Sequence, residues 1–247
     1  MNLSDIVSDA ISYPTKNFLA LIVYLLLGLL VGIVAVAFGL GGLFTGALDG
    51  NAVLGLGFGG IIGLIIIVLI SLLMTGFSLD VIKFGINRRQ DAPGIDLGRQ
   101  IVNGVKYLIV SLVYFIIPVA LMVGLSFILG LVGIIIGIIV AIIFAFAFTM
   151  AICRLADTDS LGSALSIGEA IGDLNQIGVG NVIITLIVSA VVGFIIVFAL
   201  SFILGLILAA IGSNSITAIL VPIVASILDA WLLFYLNRVM GLLYSTK

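Results

Sequence analysis

The sequence has no histidine, one cysteine and only 8% charged residues, nine basic and eleven acidic, in 247 positions. Without histidine there are no His-ligated metals or haem, and the usual imidazole general base is missing. A single cysteine, Cys153, excludes an internal disulfide. The shortage of charge excludes most. A soluble domain carries about 25% charged residues because its surface faces water, and so few charges cannot cover a water-soluble globule of this length. A Walker loop, a GxSxG elbow and a spaced aspartate cluster are likewise missing, so an enzyme is not expected and no cofactor is called for. No cleavable signal peptide is expected either, since MNLSDIVSDAISYPTKN is acidic and has no apolar core before Lys16.

What is present is apolar: 64% hydrophobic residues and 30 glycines, with a mean hydropathy of +1.52. Lipid is therefore the solvent for most of the surface. A span needs roughly 20 residues to cross about 30 Å of hydrocarbon. The uncharged blocks divide into six such spans, near Phe18–Leu40, Leu54–Phe77, Tyr107–Val123, Val132–Ile152, Val182–Ile203 and Ile216–Leu236. The run Tyr107–Cys153 carries no charge; as one helix it would be roughly 70 Å long, so it must turn back, and Gly124–Gly133 is the natural place. A Gly-rich outer loop with Asp49 follows the first span.

Between the spans lie amphipathic stretches. Leu3, Ile6, Val7, Ala10 and Ile11 share one helical face, with Asp5 and Asp9 on the other, which predicts a surface helix ended by Pro14, either docked near the basic loop through its acidic face or held loosely at the membrane surface. Leu97, Ile101 and Val105 predict a second short surface helix. Leu161, Ala164, Leu165 and Gly168 predict a third. The expected fold is an all-α polytopic transmembrane helical bundle of six spans in three hairpins, each preceded by a short cytoplasmic amphipathic helix. The chain reads as one integral-membrane domain, 1–247, with a weak threefold hairpin repeat over 1–86, 95–156 and 160–244.

The segment Lys83–Lys106 holds five of the nine basic residues. Every Lys and Arg falls at or near one side of this arrangement. Positive charge marks the cytoplasmic side, so both termini are expected in the cytoplasm, with the chain in the cell membrane. Asp80, three residues before Lys83, is expected to pair with it.

Several of these stretches resemble a known family. Tyr13-Pro14, the Lys83–Pro93 connector with its basic pair, Asp96 ahead of Val102-Asn103-Gly104-Val105-Lys106, Tyr114–Pro118 and Phe234–Tyr244 carry the likeness. It extends over nearly the whole chain and is most specific at Asp80–Pro118. Together these are similar to the largely archaeal integral-membrane family catalogued as domain of unknown function 4013. The resemblance implies an archaeal membrane protein and no particular activity.

The candidate functional residues are few. Arg88, Arg89 and Arg99 are candidate lipid-headgroup contacts, because guanidinium groups grip phosphate oxygens in pairs. Asp229 lies nine residues before Arg238, roughly 14 Å deep if Arg238 marks the interface. A charge there costs about 2.5–3.5 kcal/mol, so the carboxyl is expected to be neutral and to face the bundle interior, with Ser226 and the Ala225 carbonyl as local partners. Gly28/Gly32, Gly55/Gly59/Gly63 and Gly133/Gly137 repeat four apart, a spacing that lets helix backbones approach, either within one chain or between copies. Pro118 and Pro222 fall inside spans and are expected to kink them. Two functions fit: a non-catalytic membrane scaffold meeting lipid, protein partners or its own copies, or a small-solute or ion transporter with a polar site near Asp229. Nucleic acid is not an expected partner.

Overall fold

The computed structural model describes residues 1–38, 40, 58–211 and 214–247, with side chains for all of these except 58, 209, 211, 214–219 and 222. Among the described residues there are nine helices and no strand: α1 Leu3–Lys16, α2 Phe18–Ala37, α3 Phe58–Ile86, α4 Leu97–Leu129, α5 Leu131–Thr158, α6 Leu161–Leu165, α7 Ile167–Ile177, α8 Val179–Ile211 and α9 Asn214–Tyr244. Six of them (α2, α3, α4, α5, α8 and α9) are long and apolar enough to cross a membrane. The chain is a multi-pass helical membrane bundle.

Helices α4, α5, α8 and α9 run past the predicted spans at both ends, and α3 past its C-terminal end, because lipid-depth apolar sequence and the wet turns flanking it belong to the same helix; α2 ends at Ala37, short of the expected Leu40. The second predicted surface helix does not exist as a separate element. Residues 97–105 are the opening turns of α4, which continues unbroken to Leu129. Asp96 caps its start by accepting from the Arg99 N–H at 3.1 Å, and nothing between Leu97 and Tyr107 interrupts the ladder. The third predicted surface helix is divided into α6 and α7 at Ser166. Helix α1 does not end at Pro14 but continues to Lys16. Pro14 gives up only the bond to Ala10, and burial of Ile6, Ala10, Tyr13 and Pro14 holds the turn in place. Its start is a capping box in which Asn2 and Asp5 each bond the other's backbone N–H, at 2.9 and 3.2 Å.

The turn between α4 and α5 is made at Gly130, whose φ of +56° favours glycine. Pro118 lies buried inside α4. The side chain of Pro222, the loop containing Asp49, and Gly55 lie outside what is described.

Helix α3 is central, touching α2, α4, α5 and α9, and α9 in turn meets α1, α2, α5 and α8. Lipid supplies no hydrophobic drive between helices, so close backbone approach and polar contacts must hold them. A Cβ on Gly76 would overlap the Gln100 carbonyl, and one on Gly104 the Leu72 carbonyl, which fixes the α3–α4 crossing. Gly85 and Gly241 face each other where α3 crosses α9, and Gly133 meets Leu125 across the α4–α5 turn. The three clusters of buried apolar side chains gather in the halves of the helices nearer the charged end. The opposite halves expose Phe127, Ile128 and Leu131.

Candidate functional site

The charged end is organised around Arg238, which is fully buried on α9. Its Nε donates to Asp9 on α1 at 2.7 Å. Its Nη1 donates to the carbonyls of Phe84 and Arg89, at 3.3 and 2.5 Å, and its guanidinium lies 4.6 Å from the Tyr13 ring centre. Asp9 also accepts from Gln90 at 2.6 Å. The Tyr13 hydroxyl donates to the Asp91 carbonyl at 3.1 Å, and Asn17 donates to the Gln90 carbonyl at 3.0 Å. Helix α1 therefore docks on the basic loop, one of the two placements its sequence leaves open, and α9 also grips that loop. Burial pushes the Asp9 carboxyl up, but the hydrogen bonds from Arg238 and Gln90 outweigh it and hold its pKa below the ordinary value. Burial raises the Tyr13 phenol to about 12.

A second network contradicts the expected Asp80–Lys83 pair. Asp80 is buried and accepts two bonds from Arg99, at 2.5 and 2.9 Å, and one from Gln100 at 2.7 Å. Lys83 instead donates to Asp159 at 2.7 Å, while Lys106 caps the Asp159 carbonyl at 2.8 Å. Residues three apart on a helix point about 60° apart. Here that angle sends Asp80 toward α4 and Lys83 toward the end of α5. The side-chain-free contact at Gly76 brings the α4 backbone close enough for Arg99 and Gln100 to reach Asp80 first.

The third network surrounds Asp173 on α7. It accepts from Arg154 at 2.8 Å and from the Tyr244 hydroxyl at 2.9 Å, and it pairs with Lys247 at 2.5 Å. Arg154 also pairs with Glu169 and donates to the Ser163 carbonyl at 3.2 Å. Burial raises the Asp173 pKa, and the three donors together bring it below the ordinary carboxylate value. Cys153 beside this network is fully buried.

Each of the three candidate lipid-binding arginines has a partner in the protein. Arg88 donates to the Ser245 hydroxyl and carbonyl at 3.3 and 3.2 Å. Arg89 pairs with Asp91 and lies over the Phe84 ring. Arg99 holds Asp80 and Asp96. Of the ten acidic residues that are described, all but Asp229 belong to this end, so nine carboxylates face nine cations. That balance was open to a count along the chain. The pairing, which joins residues as far apart as Asp9 and Arg238, was not.

Asp229 lies away from all of this. It is exposed to a cleft of about 1110 Å³ between α2 and α9, with Met74 of α3 at its back. Its walls are apolar except for Asp229, Ser226 and Tyr24. Gly28 and Gly32, read as a packing face, are part of the wall instead. A Cβ on Gly32 would meet nothing within 4 Å, and one on Gly28 only the end of Met74 at 3.9 Å. The signal was in the sequence, since the same lack of side chains that lets helices pack also leaves a groove. Toward the charged end the cleft stops at Tyr24, Phe77 and Phe234, whose ring centres lie 5.7–6.1 Å apart.

Among the described residues no group of His, Cys, Asp or Glu is placed to hold a metal ion. Comparison with curated proteins finds no match, and neither does comparison with solved structures. The family comparison covers residues 59–205, from α3 into α8, a narrower range than the resemblance first suggested; it takes in Asp80, Arg99, Arg154 and Asp173 but neither α1 nor Arg238. On that match the chain belongs to the family described as protein of unknown function DUF4013.

Proposed function

We propose that this protein is a non-catalytic organising component of an archaeal cell membrane, with both termini in the cytoplasm. The observation that carries the reading is the use made of its ionic groups. Arg238, Asp80, Asp173 and Arg154 direct their hydrogen bonds at side chains and backbone of neighbouring helices and of the basic loop, Asp9, Arg99, Gln100 and Tyr244 among them, fastening the helix ends into a cap. A catalytic site would aim such groups at a cavity with a nucleophile or base free to react. A rigid, electrically balanced cap suits a platform against which lipid, protein partners or further copies are arranged. The alternative, a small-solute or ion transporter, is favoured by one observation, the cleft that reaches Asp229.

The two readings separate in proteoliposomes. Ion flux after a pH jump should not exceed that of empty liposomes for the scaffold. Flux in the wild type that disappears in a folded Asp229→Asn variant would replace the scaffold with the transporter. Orientation needs a different test from labelling Cys153, which is too buried to report on either side. In a Cys153→Ala background, Asp157→Cys should resist an impermeant thiol reagent in intact cells while Ser126→Cys reacts. The reverse pattern would overturn the cytoplasmic placement.

A further inference from the structure

We infer that the cleft between α2 and α9 is a binding site for a lipophilic cation, an alkylammonium amphiphile that enters from the lipid and pairs its head with Asp229. Four observations lead there. The cleft, at about 1110 Å³, lies just above the usual range for small-molecule sites, roughly 300–1,000 Å³, and has room for a long hydrocarbon chain. Its lining is apolar along α2 and α9 and includes no Lys or Arg. The carboxylate of Asp229 has no hydrogen-bond or ion-pair partner among the described residues. An unpaired carboxylate between apolar walls is costly, and a ligand that brings both a cation and a hydrocarbon chain satisfies both parts of the site.

The fourth observation concerns access. The Tyr24, Phe77 and Phe234 rings close the cleft toward the charged end, and Phe77 and Phe234 are buried. Beyond them stands Tyr13 against Arg238. A hydrated ion arriving from that end meets aromatic carbon rather than a polar path. An amphiphile already dissolved in lipid meets the side of the cleft, where Gly28 and Gly32 leave room for a chain beside α2. An ammonium head carries several N–H donors and can offer more than one to the same carboxylate. A neutral or anionic amphiphile could fill the groove but would leave Asp229 unpaired.

The test uses the full chain in nanodiscs of phosphatidylcholine, with radiolabelled dodecylamine as probe and dodecanol as its uncharged control. Dodecylamine should bind saturably and be displaced by excess unlabelled amine. Asp229→Asn should weaken it by about 10-fold or more, close to 1.4 kcal/mol, while leaving dodecanol unchanged. Gly32→Leu points a side chain into open space, so it folds without a clash and should abolish saturable binding of both probes. Equal binding of amine and alcohol, indifferent to Asp229→Asn, would reduce the site to a lipid-chain groove and overturn the proposal. So would unchanged binding in Gly32→Leu, or disulfide cross-linking of two copies through Gly32→Cys in a Cys153→Ala background. The binding assay is independent of flux, so failure of either functional reading above leaves it standing.

Discussion

The two halves of the molecule are held by different means. At the charged end, helices meet through directed contacts: Arg238 to Asp9, Arg99 to Asp80, Arg154 to Asp173, each with further bonds to backbone or side chain. Glycines bring helix backbones together in both halves, Gly76, Gly104 and Gly241 near the charged end and Gly133 in the opposite one, but in the opposite half no ion pair joins helices among the described residues, and α2 and α9 stand apart around a cleft. Along α8, Phe194, Phe198 and Phe202 stack on one another at ring distances of 6.0 and 6.4 Å while remaining exposed. Specificity of helix arrangement is therefore concentrated where water and polar groups are available. The lipid half is positioned largely by what is fastened at the other end.

The largest test of that contrast is Arg238→Met. Breaking a buried pair by removing one partner costs about 3–5 kcal/mol, and here it also releases the basic loop from α9. A large fall in Tm in detergent micelles is expected. Lys83→Met removes a pair that is partly exposed on both sides and should cost about 1 kcal/mol or less. Equal losses in the two variants would break the comparison.

Next in size is a pair of glycine substitutions. Gly104→Ala drives a methyl into the Leu72 carbonyl, which belongs to backbone and cannot rotate away. Overpacking of this kind costs about 1–3 kcal/mol. Gly32→Ala, in the lipid half, meets open space and should leave Tm unchanged or slightly raised. Comparable losses from both would mean that the lipid half is as tightly specified as the charged one.

The charged half should also carry the acid sensitivity. Asp9 and Asp173 have folded pKa values below their unfolded ones. Their contribution is thus complete above the unfolded value, about 3.9, and is lost as pH falls through the folded value. Wild-type Tm should drop between about pH 5 and pH 2, and Asp173→Asn, less stable at neutral pH, should drop less across the same window. Parallel curves would remove Asp173 from the account.

The smallest effect concerns Arg88 and Arg89. Replacing both with Gln should weaken binding to anionic vesicles by at most about 1 kcal/mol per charge, because both already have protein partners and nine carboxylates share their end. No change at all would assign the pair to topology and loop packing.

The same contrast explains what the sequence made legible. Six apolar runs, the Gly124–Gly133 return and the amphipathic pattern of α1 follow from hydropathy and periodicity, which are local properties, whereas the acidic face of α1 left its docking on the basic loop open. The continuity of α4 is not legible in the sequence, because an amphipathic face giving way to an all-apolar one looks like a boundary when only composition changes. The sequence points Asp80 to Lys83 because a neighbour in sequence is visible and Arg99 across the α3–α4 crossing is not. Asp229 stood out because a carboxyl at lipid depth is expensive anywhere. Nothing in one sequence says which helix faces it, and Gly32 looked like contact where the structure has space.

The Asp9–Arg238 bond, between residues 229 positions apart, has a consequence for how the protein is made. Chains grow at about 5–20 residues per second, so Asp9 waits on the order of 10–50 s before Arg238 has been synthesised. Throughout that interval α1 has its apolar face and no α9 to lay it on. Its amphipathic pattern lets it rest on the bilayer surface meanwhile, like a clasp left open until the last span is threaded. The first helix made is therefore among the last to reach its final place, and the cap closes only behind the completed bundle.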